Sequence, residues 1–391
     1  LMKNITIIGT GYVGLVTGVG LSEFGNKVIC TDINQIKIND LNAGKMPIYE
    51  PGLKELVRKN INSERLFFSS DIASSVKESE VVIIAVGTPQ SENGSADLRY
   101  VLDAVGNISE NLNSYKVIVT KSTVPIGTGK KIITKLEKNY EENIDFDYVS
   151  NPEFLREGSA VKDFLWPDRV IIGTKSEKAL KIMCDIYRPL YINKNPIQRT
   201  AVETSEMIKY ASNSFLALKI SYINEIANLC ESVGADVHDV AMAMGKDGRI
   251  SDKFLHPGPG FGGSCFPKDL EALLSLSDEH SVTMETLQAA IKANKNQKER
   301  VGEKLDRLIS GSIRGKKIAI LGLAFKANTD DVRESSSIDL IKFILNDGGF
   351  VNAYDPIANE SMANIFNDIH YSDNVYDAIY EVDALVIMTE W

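Results

Sequence analysis

Residues 3–14 read KNITIIGTGYVG, and this stretch decides the fold at the start of the chain. A β-branched run is followed by three glycines and then by an amphipathic helical pattern that extends to Gly25. The next apolar run ends in an acid, Asp32. Glycines at this spacing permit a tight turn and a close approach of a pyrophosphate to a helix N-terminus, and the acid suits an adenosine ribose. The stretch therefore predicts a dinucleotide-binding Rossmann unit whose glycines are Gly9, Gly11 and Gly14.

The acid at Asp32 also predicts which dinucleotide binds. A carboxylate at this position favours NAD over NADP, because it would repel the extra phosphate of NADP. Lys37 lies one turn into the following helix, where it is either a cofactor contact or a solvated surface residue. The predicted cofactor is NAD.

Further apolar runs at 81–86, 116–120 and 146–150 alternate with helical patterns, and two more short strands follow at 169–173 and 196–200. Apolar strands separated by helices predict a parallel sheet covered on both faces. Ligands of such sheets bind beyond the carboxyl ends of the strands. Each polar residue there could be a cap or turn residue, but together they predict a site. These residues are Thr88, Ser122, Thr123, Glu153 and Glu157.

The rest of the chain predicts two more domains. A long helical pattern at 201–234 suits a spine between domains or a dimer seam. A fresh apolar strand then starts at 316, and the chain after it repeats the helix–acid–strand order seen near residue 71. We therefore expect an α/β protein with two Rossmann-like, doubly wound parallel-sheet domains joined by a central helical domain. The expected bounds are 1–200, 201–310 and 311–391, and the last domain is interpreted as truncated because Trp391 directly follows a strand.

The segment GFGGSCFPKD, residues 260–269, carries the candidate nucleophile. Its glycines place Cys265 on a loop just before a helix that we expect to start near Pro267. A helix N-terminus and the nearby Lys268 favour the thiolate, although a small buried cysteine beside a turn would give the same pattern. Lys209 and Asn213 share one helix face. Lys209 is either a desolvated functional lysine or a snorkelling surface residue.

The composition and the net charge exclude several classes of partner and location. The net charge of −10 argues against nucleic acid or an anionic membrane as the main partner. No apolar run reaches the length of a membrane span, and no signal peptide is recognisable. Four scattered cysteines without a CxxC pattern indicate a reducing, cytoplasmic location. The four histidines lack ligand spacing, so no metal site is predicted.

The motifs GTGYVGL, PIYEPGL, VGTP, KSTVPIGTG, NPEFLREGSA, GFGGSCFPKD and GLAFKANTDDVRESSS span essentially the whole chain. With them the chain resembles the UDP-glucose/GDP-mannose dehydrogenase family. The resemblance implies an N-terminal NAD domain, a central helical dimer spine and a C-terminal domain that closes over a nucleotide sugar. It also implies a homodimer in which Arg249 reaches the site of the partner subunit.

The resemblance implies a two-step, NAD-dependent oxidation of the sugar C6 alcohol to a carboxylate. Cys265 would hold the aldehyde as a thiohemiacetal and then as a thioester. Asp269 and Thr123 would hold or activate the hydrolytic water, with Glu153 or Glu157 assisting as acid or base. Lys209 and Asn213 would stabilise oxyanions at C6.

The resemblance also implies two sets of binding residues. The cofactor set consists of Gly9, Gly11, Tyr12, Val13, Gly14, Asp32, Lys37, Thr88, Thr123, Glu157, Lys268 and Arg333. The substrate set consists of Glu153, Phe154, Leu155, Arg156, Lys209, Asn213, Arg249, Phe254, Leu255, His256, Pro257, Gly258, Gly262 and Lys326.

Several alternatives remain open at this point. GGSCFPKD together with PIYEPGL favours UDP-glucose over GDP-mannose as the substrate, and other nucleotide sugars would use the same mechanism. A catalytically silent NAD-binding scaffold is disfavoured because all the candidate catalytic residues are present. A 6-phosphogluconate-type β-hydroxyacid dehydrogenase is disfavoured because it needs no thiol and lacks a third domain.

Overall fold

The computed structural model describes residues 2–91, 94–138, 145–192, 196–309 and 311–391. The chain forms two compact units, one ending at Tyr210 and the other beginning at Ala211. Both units are α/β, so the predicted fold class is confirmed. The division into three domains at residues 200 and 310 stays a prediction.

Strands of the first unit form one sheet, ordered β3-β2-β1-β4-β5-β6-β7-β8 within the described residues. Their bounds are β1 Asn4–Ile8, β2 Lys27–Thr31, β3 Leu66–Ser69, β4 Val81–Ile84, β5 Lys116–Thr120, β6 Phe146–Ser150, β7 Val170–Gly173 and β8 Ile197–Thr200.

The sheet is parallel from β3 to β6, as the apolar runs predict. In the centre, Ile5 of β1 pairs with Val28 of β2 on one side and with Val81 of β4 on the other. The direction reverses at β7, which meets β6 in an antiparallel pair at Ser150 and Gly173. β8 then runs parallel to β7.

The core of this unit lies on both faces of the sheet. On β4, Val81 and Ile83 belong to one buried cluster, while Val82 and Ile84 belong to another on the opposite face. Because successive side chains of a strand point to opposite faces, the two clusters show that helices cover both sides. The sheet is therefore doubly wound.

Helices connect these strands. They are α1 Tyr12–Glu23, α2 Gln35–Asn42, α3 Leu53–Asn62, α4 Ile72–Glu78, α5 Arg99–Glu110, α6 Thr128–Lys138, α7 Ala160–Leu165 and α8 Glu177–Ile186, with a 3₁₀ helix at Arg188–Ile192. The predicted spine helix is confirmed as α9, Val202–Val233, whose first part belongs to this unit.

The second unit begins with the remainder of α9, followed by α10 Val237–Gly245, α11 Phe266–Glu279 and α12 Glu285–Ile309. A smaller parallel sheet comes next. Its elements are β9 Lys317–Leu321, α13 Ser336–Asn346, β10 Phe350–Tyr354, α14 Asn359–Ala363, β11 His370–Tyr371, α15 Val375–Ala378 and β12 Ala384–Ile387.

The two sheets repeat one topology. The order β11-β10-β9-β12 reproduces β3-β2-β1-β4 of the first unit. The turn after the first strand also repeats, since Gly9 N donates to Thr31 O at 2.8 Å and Gly322 N donates to Tyr354 O at 2.8 Å. These relations support the internal duplication expected from the sequence.

No helix in the described part of the chain has the length and apolar character needed to cross a bilayer.

Candidate active site

The glycine turn after β1 has the shape that a dinucleotide requires. Gly9 has a φ of +103°, and a Cβ on it would lie 2.7 Å from Ala85 O. A Cβ on Gly14 would lie 1.9 Å from Gly9 O, so the helix packs directly on the turn. Gly11 is the N-cap of α1 and has open space beside its Cα. A helix N-terminus with this opening fits a pyrophosphate.

Asp32 lies just past β2 with both oxygens in use. Thr10 donates to its Oδ2 through its backbone N at 2.9 Å and its hydroxyl at 2.7 Å, and Asn34 N donates to Oδ1 at 3.0 Å. Lys37 Nζ lies 3.6 Å from Oδ2. Burial opposes ionisation of Asp32, but these partners outweigh it and hold its pKa below the ordinary value. An ionised acid here fits the ribose of NAD.

Tyr12, the first residue of α1, is tied to two distant loops through Glu50. The Tyr12 hydroxyl donates a short hydrogen bond to Glu50 Oε2, and Gly158 N donates to the same oxygen at 2.7 Å. Burial, then Glu50 and the charge of Glu157, raise the pKa of the Tyr12 hydroxyl. The glycine turn and the loop that carries Glu157 are therefore held by one buried carboxylate.

At the carboxyl edge of the sheet, the loops after β4 and β5 are joined. The Thr88 hydroxyl donates to Thr123 O at 2.9 Å, and the Ser122 hydroxyl donates to Val86 O at 2.6 Å. The structure thus brings together two residues that the sequence places in the cofactor set.

Glu153 and Lys209 form a buried ion pair in the first unit. Lys209 Nζ lies 2.8 Å from Glu153 Oε1, and each side chain is 4% exposed. Leu155 N donates to the other oxygen, Oε2, at 2.5 Å. The ring of Phe154 lies 5.3 Å from Lys209 Nζ and 3.9 Å from the Arg169 guanidinium. Lys209 is therefore desolvated rather than a surface lysine.

A second buried lysine, Lys121, belongs to the same cluster. Its Nζ donates to Asn151 Oδ1 at 3.3 Å, and the Tyr187 hydroxyl donates to that oxygen at 2.7 Å. Burial lowers the pKa of Lys121 to about 8, while Glu153 raises it and Lys209 lowers it. Lys121 after β5, Glu153 after β6 and Lys209 of α9 thus form one group of interacting charges.

In the second unit, Cys265 is the N-cap residue of α11, with proline in the first turn as the sequence predicts. Its thiol is partly exposed and lies 3.6 Å from Ser264 Oγ. One turn on, the Asp269 carboxylate accepts a hydrogen bond from Asn213 Nδ2 at 2.6 Å and pairs with Lys268 Nζ at 2.7 Å. The Cys265 thiol therefore stands one turn before a carboxylate that Asn213 and Lys268 hold.

The cysteine loop packs on the loop after β9 of the same unit. Gly263 N donates to Arg333 O at 2.9 Å, and a Cβ on Gly262 would lie 2.2 Å from Glu334 O. Lys326 lies near the ring of Phe325, and the Arg333 guanidinium pairs with Asp331 at 2.6 Å. The loop carries basic groups, as expected from the sequence.

The segment from Phe254 to Gly258 is anchored to α9. Leu255 is buried in a small cluster with Ile223 and Ala241, and Gly258 N donates to Asn224 Oδ1 at 2.8 Å. Phe254 has a φ of +65°. His256 and Pro257 lie between these anchors.

Two arginines of the substrate set bind acids on the surface. Arg156 Nη2 lies 2.6 Å from Asp163, and Arg249 Nη2 lies 2.6 Å from Asp247. The predicted contact of Arg249 with a partner subunit stays a prediction.

Three family models match along the chain. All three are models of the UDP-glucose/GDP-mannose dehydrogenase family. Residues 3–191 match its NAD binding domain, residues 203–296 its central domain and residues 319–391 its UDP binding domain. The chain belongs to the UDP-glucose/GDP-mannose dehydrogenase family. The resemblance seen in the motifs is confirmed, and so is NAD as the cofactor.

Named members of this family are similar over the full length. UDP-glucose 6-dehydrogenase TuaD of Bacillus subtilis is 49% identical, with 100% of this chain and 84% of that protein covered. A UDP-glucose 6-dehydrogenase of Rhizobium meliloti is 48% identical, covering 99% and 89%. The solved UDP-glucose dehydrogenase of Pyrobaculum islandicum superposes with a TM-score of 0.96 at 37% identity, covering 100% of this chain and 90% of that one.

Sequence reasoning within the family missed three buried charged residues. Glu50 and Lys121 lie inside the motifs PIYEPGL and KSTVPIGTG, and their position in these motifs is the feature of the sequence that could have identified them. Glu206 of α9 accepts hydrogen bonds from Gly127 N at 2.7 Å and Gly129 N at 2.8 Å, where α6 begins. Its partners lie far away in the sequence, so the helical pattern carried no sign of them.

Proposed function

We propose that this protein oxidises UDP-glucose to UDP-glucuronate with NAD, in two steps at one site. The observation that carries the proposal is the start of α11, where the Cys265 thiol lies one turn from an Asp269 carboxylate fixed by Asn213 and Lys268. This arrangement supplies a nucleophile and a water-directing base together. Both of the relatives described above are named UDP-glucose 6-dehydrogenase, which supports the proposal.

Cys265 explains how an aldehyde is kept on the enzyme. Its thiolate adds to the C6 aldehyde, forming a C–S bond and an alkoxide, which is the thiohemiacetal. NAD held by the glycine turn and Asp32 would supply a hydride acceptor for each oxidation at C6. Loss of the second hydride leaves a thioester, and water then displaces the thiolate to release the carboxylate.

The remaining polar groups supply proton transfer and charge. Asp269, with Thr123, positions the water that attacks the thioester. Lys209 and Asn213 donate to the oxyanions formed at C6. Glu153 or Glu157 serves as the acid or base.

The proposal also assigns the residues that bind NAD and the nucleotide sugar. The glycine turn, Asp32 and Lys37 hold NAD, with Thr88, Thr123, Glu157, Lys268 and Arg333 completing its site. The nucleotide sugar is held by residues 153–156, by the segment 254–258, by Gly262 and by Lys326. A homodimer with Arg249 crossing to the partner subunit, and a cytoplasmic location, belong to the same proposal.

The test is the amount of NADH formed per mole of limiting UDP-glucose, in the unsubstituted protein and in Cys265→Ser. Cys184→Ser, a second partly exposed thiol on α8, is the matched control. We expect two NADH per sugar for the unsubstituted protein and the control, and a sharp loss for Cys265→Ser. One NADH per sugar in the unsubstituted protein would contradict the role of Cys265. Turnover of GDP-mannose but not UDP-glucose would contradict the substrate.

A further inference from the structure

We propose that Lys121 is a positioning residue for the reaction. Its buried ammonium gives the cluster of Lys121, Glu153 and Lys209 one net positive charge, and this charge favours an anionic group at C6 of the bound sugar. The inference rests on the proposed function. Lys121 does not belong to the catalytic or binding sets described above, and its role acts through Glu153 and Lys209.

The cluster of Lys121, Glu153 and Lys209 carries a net charge. Lys121, Glu153 and Lys209 are all buried, with exposures of 5%, 4% and 4%. Two ammonium groups and one carboxylate leave a surplus of one positive charge. A surplus charge held away from water favours binding of a compensating anion.

Lys121 is held by Asn151, which directly follows β6 on the loop that leads to Glu153. Lys209 contacts Glu153 directly at 2.8 Å, whereas Lys121 is held by Asn151, at 3.3 Å from Oδ1 and 3.5 Å from the carbonyl oxygen. Asn151 is itself fixed, because its Nδ2 donates to Ile171 O at 2.7 Å and its Oδ1 accepts from Tyr187. Lys121 is therefore a fixed charge.

Lys209 has a second partner in the proposed reaction. In the proposed reaction Lys209 donates to an oxyanion at C6, which weakens its hold on Glu153. A buried carboxylate that loses a paired cation without a replacement is strongly destabilised. Lys121 supplies a second positive charge that acts on Glu153, so the carboxylate keeps a compensating charge while Lys209 serves the substrate.

The state of Lys121 also depends on pH. The charged groups that act on it are Glu153, which favours its ammonium, and Lys209, which opposes it, and burial brings its pKa to about 8. The Tyr187 hydroxyl faces it through Asn151, and burial raises the pKa of that hydroxyl. The surplus charge is thus present at neutral pH and is lost as the pH rises above about 8.

Two substitutions at Lys121 separate the effect of its charge from the effect of its packing. Lys121→Met removes the charge, and Lys121→Arg keeps it at every pH used. Lys116→Met is the matched control. Lys116 is another buried lysine on β5, its Nζ donates to Ser79 O at 2.6 Å, and burial lowers its pKa. Loss of Lys116 therefore reports the cost of emptying a buried lysine position without changing the cluster.

The measurement is calorimetric binding of UDP-glucuronate and UDP-glucose to each full-length variant at pH 7 and pH 9. The ratio of the two affinities is the readout, because only the first sugar carries an anion at C6. We expect Lys121→Met to lower the preference for UDP-glucuronate roughly tenfold at pH 7, as one nearby charge in a partly shielded site would. The unsubstituted protein should lose the same preference between pH 7 and pH 9, and Lys121→Arg should keep it.

The outcomes distinguish this inference from the proposed function. An unchanged affinity ratio in Lys121→Met, or an equal change in Lys116→Met, would overturn the role of Lys121 while NADH formation by the unsubstituted protein stands. Binding of both sugars without NADH formation would overturn the proposed function and still leave the ratio measurable. Failure of either sugar to bind would overturn both.

Discussion

Asn213 Nδ2 donates to Asp269 Oδ2 at 2.6 Å, while Lys268 Nζ holds the other carboxylate oxygen at 2.7 Å. Asp269 is 2% exposed, so its two oxygens depend on these partners. A carboxylate fixed on both sides has one orientation, and it lies one turn from the thiol of Cys265. Asn213 therefore orients this carboxylate, and in the proposed reaction it also donates to the oxyanion at C6.

Substitution Asp269→Asn should stall the reaction at the thioester. The amide keeps the size of the side chain but cannot accept a proton from the hydrolytic water, so we expect kcat to fall at least about a hundredfold. Intact mass spectrometry during turnover should then show the sugar nucleotide attached to Cys265. Asp278→Asn, an exposed acid on the same helix, should behave as the unsubstituted protein. A fully active Asp269→Asn variant without an adduct would rule out this role.

Substitution Glu50→Ala should loosen the first unit near the cofactor. It leaves the Tyr12 hydroxyl and Gly158 N without their shared acceptor, and a hydrogen bond to a charged group contributes about 1.5–3 kcal/mol. Scanning calorimetry should show a lower unfolding midpoint, and KM for NAD should rise. Tyr12→Phe is the control: it removes both bonds of the Tyr12 hydroxyl, to Glu50 and from Gly158 N at 2.9 Å, but keeps Glu50 as an acceptor for Gly158 N. An equal effect of both variants would mean that the bond from Gly158 N to Glu50 adds no stability beyond the bonds of the Tyr12 hydroxyl.

Local motifs explain which parts of the fold and of the candidate site could be predicted from the sequence. The glycine turn and Asp32 contact each other's neighbourhood within one short stretch of sequence, so the local pattern predicts their role. Glu50 meets Gly158 across 108 residues and Glu206 meets Gly129 across 77, and nothing local records those partners. The reversal of β7 was also hidden, because an apolar run indicates a buried strand but not its direction.

Glu206 should make stability depend on pH. Burial raises its pKa from 4.5 to about 7, although the amides of Gly127 and Gly129 oppose the shift. The folded protein thus binds this proton more tightly than the unfolded chain. The stabilising contribution is complete below pH 4.5 and is lost as the pH rises to about 7.

The difference in unfolding free energy between the unsubstituted protein and Glu206→Gln should therefore fall by up to about 3 kcal/mol across that window. Thermal unfolding at several pH values measures it. Glu225→Gln, an exposed acid farther along α9, should leave the pH dependence nearly unchanged. Parallel curves for Glu206→Gln would show that Glu206 does not titrate in this range.

Substitution Gly262→Ala should displace the cysteine loop from the loop after β9. The new Cβ would lie 2.2 Å from Glu334 O and 2.8 Å from its carbonyl carbon, and neither backbone atom can move aside cheaply. Overpacking of this kind costs about 1–3 kcal/mol. We expect a lower unfolding midpoint and a changed rate of Cys265 alkylation. Gly248→Ala meets no atom within 4 Å and should change neither. If the two variants behave alike, the contact with Glu334 does not hold the loop, and the position of Cys265 depends on α11 alone.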